Sequence, residues 1–175
     1  MRIGIDISQI VYQGTGVGEY TRELVENLLK VDRQNKYVFF FSSLRRKTQN
    51  SKLKTQNYNL KLKAFRIPPM FLDFFWNRWH IFPIEWFIGP IDVFLSSDWT
   101  QPPTIKAKKV TTIHDLSVFK FPLEHHPRIV GTQKRRLNWV KKECDLIICD
   151  SQATKKEAME ILGIEEKRLR VVYPG

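Results

Sequence analysis

Short apolar runs alternate with amphipathic ones along the whole chain. Residues 2–8, RIGIDIS, alternate and are β-branched, as a buried first strand should be. A loop with Gly14, Gly16 and Gly18 follows, then a helix with Tyr20, Leu24, Leu28 and Val31 on one face. Residues 36–42, KYVFFFS, predict a second strand, short and strongly apolar. The run RRKTQNSKLKTQN has no apolar period and predicts a mobile loop. Residues 57–67 alternate at Leu60, Leu62 and Ala64 and predict a third strand. Residues 92–96, 109–113, 146–149 and 169–173 predict the remaining four. A helix is predicted over residues 127–143, with Ile129, Leu137, Val140 and Cys144 inward. Ser151 caps a further helix that Gly163 ends.

Strands alternating with helices, most of them Val/Ile-rich on both faces, predict a parallel sheet covered by helices. That is an α/β, Rossmann-like, doubly wound fold. A chain of 175 residues suffices for one such domain. In open parallel sheets, ligands bind beyond the carboxyl ends of the strands. The glycine loop, Asp98-Trp99, His114-Asp115 and Asp150-Ser151 all fall at such ends. Four polar features from four strands on one edge make a candidate site.

The glycine loop suits an anion. Free N–H groups and the helix dipole point at it, and glycine lets a phosphate approach the backbone. The dinucleotide fingerprint is G-x-G-x-x-G, but here the spacing is G-x-G-x-G, with Glu19 one place past the last glycine. No acidic residue ends the second strand, so the ribose-binding Asp or Glu of an NAD site is missing. Arg45 and Arg46 there would suit the phosphate of NADP instead. The P-loop pattern fails as well, since no Lys-Ser/Thr follows. The alternative is a turn that needs positive φ and binds nothing.

A net charge of +11 favours anionic partners such as acidic lipid or phosphorylated substrates. Nucleic-acid binding would rest on that charge alone, without a recognised motif. Residues 43–66 are rich in Lys and Arg, with no acidic residue, and read either as a solvated loop or as a contact for anionic lipid headgroups. Residues 68–89, PPMFLDFFWNRWHIFPIEWFIG, are crowded with Phe and Trp but interrupted by charges and Pro83. They cannot span a bilayer, and they suit either packing on the sheet or a partner, or an interfacial position beside the basic run. The chain begins directly on a strand, without signal-peptide features. Cys144 and Cys149 bracket a strand, about 16 Å apart at strand rise, too far for a disulfide. Two free thiols fit a reducing, cytoplasmic compartment.

Metal chemistry finds little support. His125 and His126 are adjacent, which sets their rings apart, and no ligand pair surrounds them. No nucleophile elbow is present, and Ser151 is explained by capping. His114 is the most interesting ionisable group. A neutral imidazole there can donate or accept beside a phosphate or a sugar hydroxyl, or it can be satisfied by backbone.

The segments GTGVGEYTREL, TIHDLSVFKFP, CDLIICDSQATKKEAMEILGI and RLRVVYPG form an ordered series. The series resembles the N-terminal, acceptor-side half of retaining GT-B glycosyltransferases of group 1, family 4, most closely mannosyltransferase-like bacterial members. The resemblance covers nearly the whole chain. It implies two Rossmann-like domains across a cleft, the second holding most of a nucleotide-sugar. It places Gly16, with Val17 and Gly18, at the donor phosphate near the acceptor. It places His114 at the transferred sugar, Asp115 in support, and Ser151 as the small hydroxyl residue after the sixth strand. Asp98 and Trp99 are candidate acceptor contacts. The resemblance implies no metal and no cofactor, since the nucleotide-sugar is a substrate. It implies a hexose, such as mannose, moved with retention to a lipid-linked or cell-envelope glycan at the inner membrane face. Two departures stand out: Thr15 where the family pairs glycines, and Glu19 where it commonly has Arg. The nucleotide-sugar domain is expected beyond Gly175, so this chain is expected to have little turnover alone. The competing expectations are a membrane- or partner-binding module, a subunit of a split transferase, and an NADP-dependent oxidoreductase.

Overall fold

Seven strands make one parallel sheet: β1 (Arg2–Asp6), β2 (Lys36–Ser42), β3 (Leu60–Phe65), β4 (Val93–Ser96), β5 (Lys108–Ile113), β6 (Leu146–Cys149) and β7 (Leu169–Val171). Their order is β3-β2-β1-β4-β5-β6-β7. The computed structural model describes residues 1–44 and 59–174. The run RRKTQNSKLKTQN, expected as a mobile loop, lies outside the described residues. The helices are α1 (Gly16–Val31), α2 (Pro69–Leu72), α3 (Glu85–Ile88), α4 (Ser117–Lys120), α5 (Pro127–Glu143) and α6 (Gln152–Leu162). The chain is therefore α/β, Rossmann-like and doubly wound, as its alternation of elements predicts. The strand order reverses between β1 and β4, which opens a crevice at their carboxyl ends.

Both faces of the central strands are buried, which is why β2 is apolar throughout. Tyr37, Phe39 and Phe41 pack toward Val25 and Leu29 of α1. Val38 and Phe40 pack toward Leu72, Trp76, Ile84 and Ile88 on the other face. Phe40 meets the rings of Phe65, Trp76 and Phe87. Beyond β5 a third cluster joins Leu137 and Val140 of α5 to Ile147, Ala158, Leu162 and Leu169. Each such side chain contributes about 1.5–3 kcal/mol by leaving water. The Arg168 guanidinium donates to the carbonyls of Val140, Lys141 and Cys144, closing the carboxyl end of α5.

Several expectations are corrected. The first strand ends at Asp6, because the Asp6 carboxylate accepts from Ser8 N–H and turns the chain into a 3-10 turn at Ser8–Val11. The last strand stops at Val171. The inner face of α1 is Gly18, Val25 and Leu29, while Val31 is exposed. Gly18 seated against that 3-10 turn sets the rotation. The inner face of α5 includes Thr132 and Arg136 in place of Ile129, which is exposed. Leu62 of β3 is also exposed, since β3 is the sheet edge. Residues 68–89 split: Trp76 and Ile88 enter the core, while Trp79 and Trp86 face outward. No helix among the described residues is long and apolar enough to cross a membrane.

Candidate functional site

Gly16 and Gly18, expected in the loop, lie in the first turn of α1. Thr15 is its N-cap, and its Oγ1 accepts from Gly18 N–H at 3.2 Å. Thr15 N–H donates to the Tyr12 carbonyl at 3.3 Å. Of the first-turn donors, Gly16 and Val17 N–H remain without a partner among the described residues. The N–H of Gly18, expected beside a phosphate, is taken by Thr15 Oγ1.

The two glycines differ in what a side chain would meet. A Cβ at Gly16 would find open space, whereas one at Gly18 would sit 2.6 Å from Tyr12 O and 3.0 Å from Gln9 O. Gly18→Ala is therefore expected to lower stability by about 1–3 kcal/mol, because backbone must move. Gly16→Ala is expected to hold stability or raise it by up to about 1 kcal/mol. Urea unfolding of both variants checks the contrast, and equal stability would refute the assignment of the closed glycine.

His114 stands one residue past β5 and Asp150 one residue past β6. The register pairs Ile113 with Cys149, so the two side chains leave adjacent strand ends together. His114 Nδ1 lies 2.6 Å from Asp150 Oδ2. A carboxylate accepts only, so Nδ1 carries the proton and Nε2 is left for other partners. The edge of Tyr20, from α1, meets the imidazole at a centroid distance of 4.8 Å. Tyr20 Oη sits 3.3 Å from Thr112 Oγ1, and burial pushes its ionisation up. Thr154 Oγ1 donates to the His114 carbonyl at 3.2 Å. Two side chains, those of Asp150 and Tyr20, thus meet the ring, and a third, that of Thr154, holds the backbone of the same residue.

Ser151 caps α6 as expected, accepting from Thr154 N–H at 3.0 Å. Asp115, expected in support, makes no hydrogen bond to His114 among the described residues. Its Oδ1 accepts from Ser117 N–H at 2.8 Å and lies 2.6 Å from Ser117 Oγ, which starts α4. The histidine's carboxylate partner is Asp150, which the adjacent signature residue obscured. The signal that could have found it is the equivalent strand-end position on the neighbouring strand.

Asp98 turns inward. Its Oδ1 lies 3.4 Å from Arg136 Nη1, and burial pushes its carboxyl up despite the guanidinium. Arg136, almost wholly buried, donates through Nη2 to Thr111 Oγ1 at 2.7 Å and to the Thr112 carbonyl at 2.9 Å. The Trp99 carbonyl accepts from Asn77 Nδ2 at 3.0 Å, and its ring is half-buried. At the crevice itself, burial pushes the Asp6 carboxyl up, partly offset by Ser8, Ser97 and Thr100. Arg136 and Asp6 were not foreseen as part of this edge.

No group of three or more His, Cys, Asp or Glu among the described residues is placed to hold a metal. Cys144 and Cys149 are free and buried, and burial pushes their thiols up to about 12 and about 11. Neither is a nucleophile at neutral pH. What the edge offers is a histidine with a fixed tautomer between two helix N-termini, those of α1 and α6. That arrangement suits an anion beside a hydroxyl-bearing ligand.

Residues 14–175 match the family model described as Glycosyltransferase Family 4. No curated protein matches the chain.

Proposed function

Because this chain belongs to Glycosyltransferase Family 4, we propose that it is the acceptor-side domain of a retaining transferase. The enzyme moves a hexose, with mannose the first candidate, from a nucleotide-sugar to a lipid-linked or cell-envelope glycan in the cytoplasm. The observation that carries the reading is the imidazole of His114, clamped by Asp150 at 2.6 Å between two helix N-termini. In this reading Gly16 and Val17 N–H receive the donor phosphate, where a glycine leaves the backbone open. His114 Nε2 faces the transferred sugar, and the N-terminus of α6 adds to the positive field.

Retention by double displacement would need a free carboxylate nucleophile beside an acid partner. Among the aspartates of this edge, Asp115 is bonded to Ser117, Asp150 to His114 and Asp98 to Arg136. Asp6 is buried. Their engagement favours front-face attack, in which the leaving phosphate takes the proton of the acceptor hydroxyl. A second Rossmann-like domain across the edge would grip the nucleotide, and this domain alone would turn over little.

The test is an assay of the enzyme with a panel of GDP- and UDP-hexoses against polyprenyl-linked acceptors, with product linkage read by NMR. Transfer with retained configuration is the expected result. An inverted linkage would sink the mechanism. Failure of every donor, with a folded donor domain present, would sink the transferase reading.

A further inference from the structure

Residues 68–89 carry more exposed aromatic surface than core packing requires. Trp79 is 55% exposed and Trp86 68%, with Met70, Phe71, Ile81 and Phe82 also open to solvent. The surface is continuous. Trp79 meets Phe75 at 6.1 Å, Phe75 meets Phe82 at 5.2 Å, and Phe82 meets Trp86 at 5.9 Å. Met70 and Phe71 precede Phe74 and Phe75 by one helical turn. Contiguous patches of this kind mark contact sites.

The patch is built. His80 and Phe82 both adopt positive φ, 55° and 63°, which L side chains rarely do. The segment is pinned on both sides of its tip. The His80 ring stacks on Trp139 at 3.8 Å, and its nitrogens lie 2.9 Å from Trp76 O and 3.0 Å from Glu143 Oε2. Trp76 Nε1 donates to the Phe82 carbonyl at 2.9 Å. The fold thus accepts backbone strain while turning Trp79, Ile81 and Phe82 outward.

The charges are sorted by sign. The two acids of residues 59–91 are both spent inward. Asp73 accepts from Arg135, Thr132 and Asn77, and Glu85 Oε1 accepts from the amides of residues 105–107. The outward charges are all basic. Arg78 is exposed between the aromatics, and Lys61 and Lys63 share the face of β3 from which Phe65 packs on this cluster. Exposed aromatic side chains in a segment whose cations face outward, and whose two acids, Asp73 and Glu85, are engaged inward, match a lipid surface with anionic headgroups.

We infer that this aromatic face is a membrane-docking surface, with Trp79, Phe82 and Trp86 seated at headgroup depth of an anionic bilayer. The inference does not depend on the transferase reading, and its test reads no activity. The whole protein is mixed with phosphatidylglycerol vesicles, with neutral phosphatidylcholine vesicles and with vesicles carrying brominated acyl chains. Binding to anionic vesicles with quenching of tryptophan emission by the brominated lipid is expected. Trp79→Phe/Trp86→Phe should keep most binding and lose most quenching. Trp79→Ser/Phe82→Ser/Trp86→Ser should bind about tenfold or more weakly at unchanged circular dichroism. Vesicle binding without quenching, or equal binding by the triple serine variant, would overturn the inference. So would a dimer in the vesicle-free protein that the triple variant dissolves, since the face would then belong to a second copy.

Discussion

Replacing His114 with alanine should slow sugar transfer by about 10²- to 10³-fold in the complete enzyme. The expected loss is large because the ring is the most tightly positioned functional group on the edge. Asp150 holds Nδ1, Tyr20 packs its edge on the ring, and Thr154 holds the backbone carbonyl. Alanine would also strip Asp150 Oδ2 of its partner, and Asp150 Oδ1 is already buried without one. Some stability should therefore be lost along with the chemistry. His114→Asn separates the two effects, because its amide can still donate to Asp150. That variant should recover most of the stability and little of the turnover. Asp150→Asn should fall between, since an amide can present either end to Nδ1 and no longer fixes the tautomer. The readout is nucleotide release with the donor KM measured alongside. Wild-type turnover in a folded alanine variant would remove His114 from the site.

The sequence showed the strands well and the orientation of the helices poorly. The inner strands announce themselves because both faces of an inner parallel strand are apolar, as in KYVFFFS, and the edge strand β3 by its alternation. The cap of α6 was legible because Ser151 precedes a periodic run. The rotation of α1 was not, since Gly18 is set by backbone contacts that no hydropathy pattern records. The same limit hid the partner of Asp150, though its place at the strand ends was legible. Its pairing with His114 needs β5 and β6 to be neighbours in register, a long-range fact. Asp115 stood beside His114 in the chain and so seemed the natural partner, yet successive residues need not direct their side chains together. Arg136 lies in a QKRRLNWVKK run that reads as a solvated face, and only the fold shows one of its cations pointing inward.

Truncating that cation should be the most damaging single change to the fold. Arg136→Ala should cost about 3–5 kcal/mol, because it leaves a carboxylate and a carbonyl without their donor. Arg136 touches Asp98, Thr111 and the Thr112 carbonyl. Thr111 Oγ1 lies 2.8 Å from Ser96 Oγ, which lies 2.7 Å from Gln101 Oε1, and Gln101 N–H donates to Asn77 Oδ1. One guanidinium therefore ties α5 to β5, β4 and the aromatic segment. It also holds the carbonyl of Thr112, whose hydroxyl meets Tyr20. Arg136→Met keeps most of the stem and still orphans Asp98, so it should cost nearly as much. The sign with pH follows from Asp98. Burial already raises its folded pKa above the unfolded value, and losing Arg136 raises it further. A raised acid contributes stability that is present at low pH and lost as pH climbs between the two values. The deficit of Arg136→Met against wild type should thus be smallest in mild acid and grow toward alkaline pH. Arg136→Met/Asp98→Asn removes both charges and should recover much of the loss, as whole buried pairs often can. An Arg136 that merely filled space would give the opposite pattern. Methionine would then cost under about 1.5 kcal/mol, at every pH alike, and the second substitution would restore nothing.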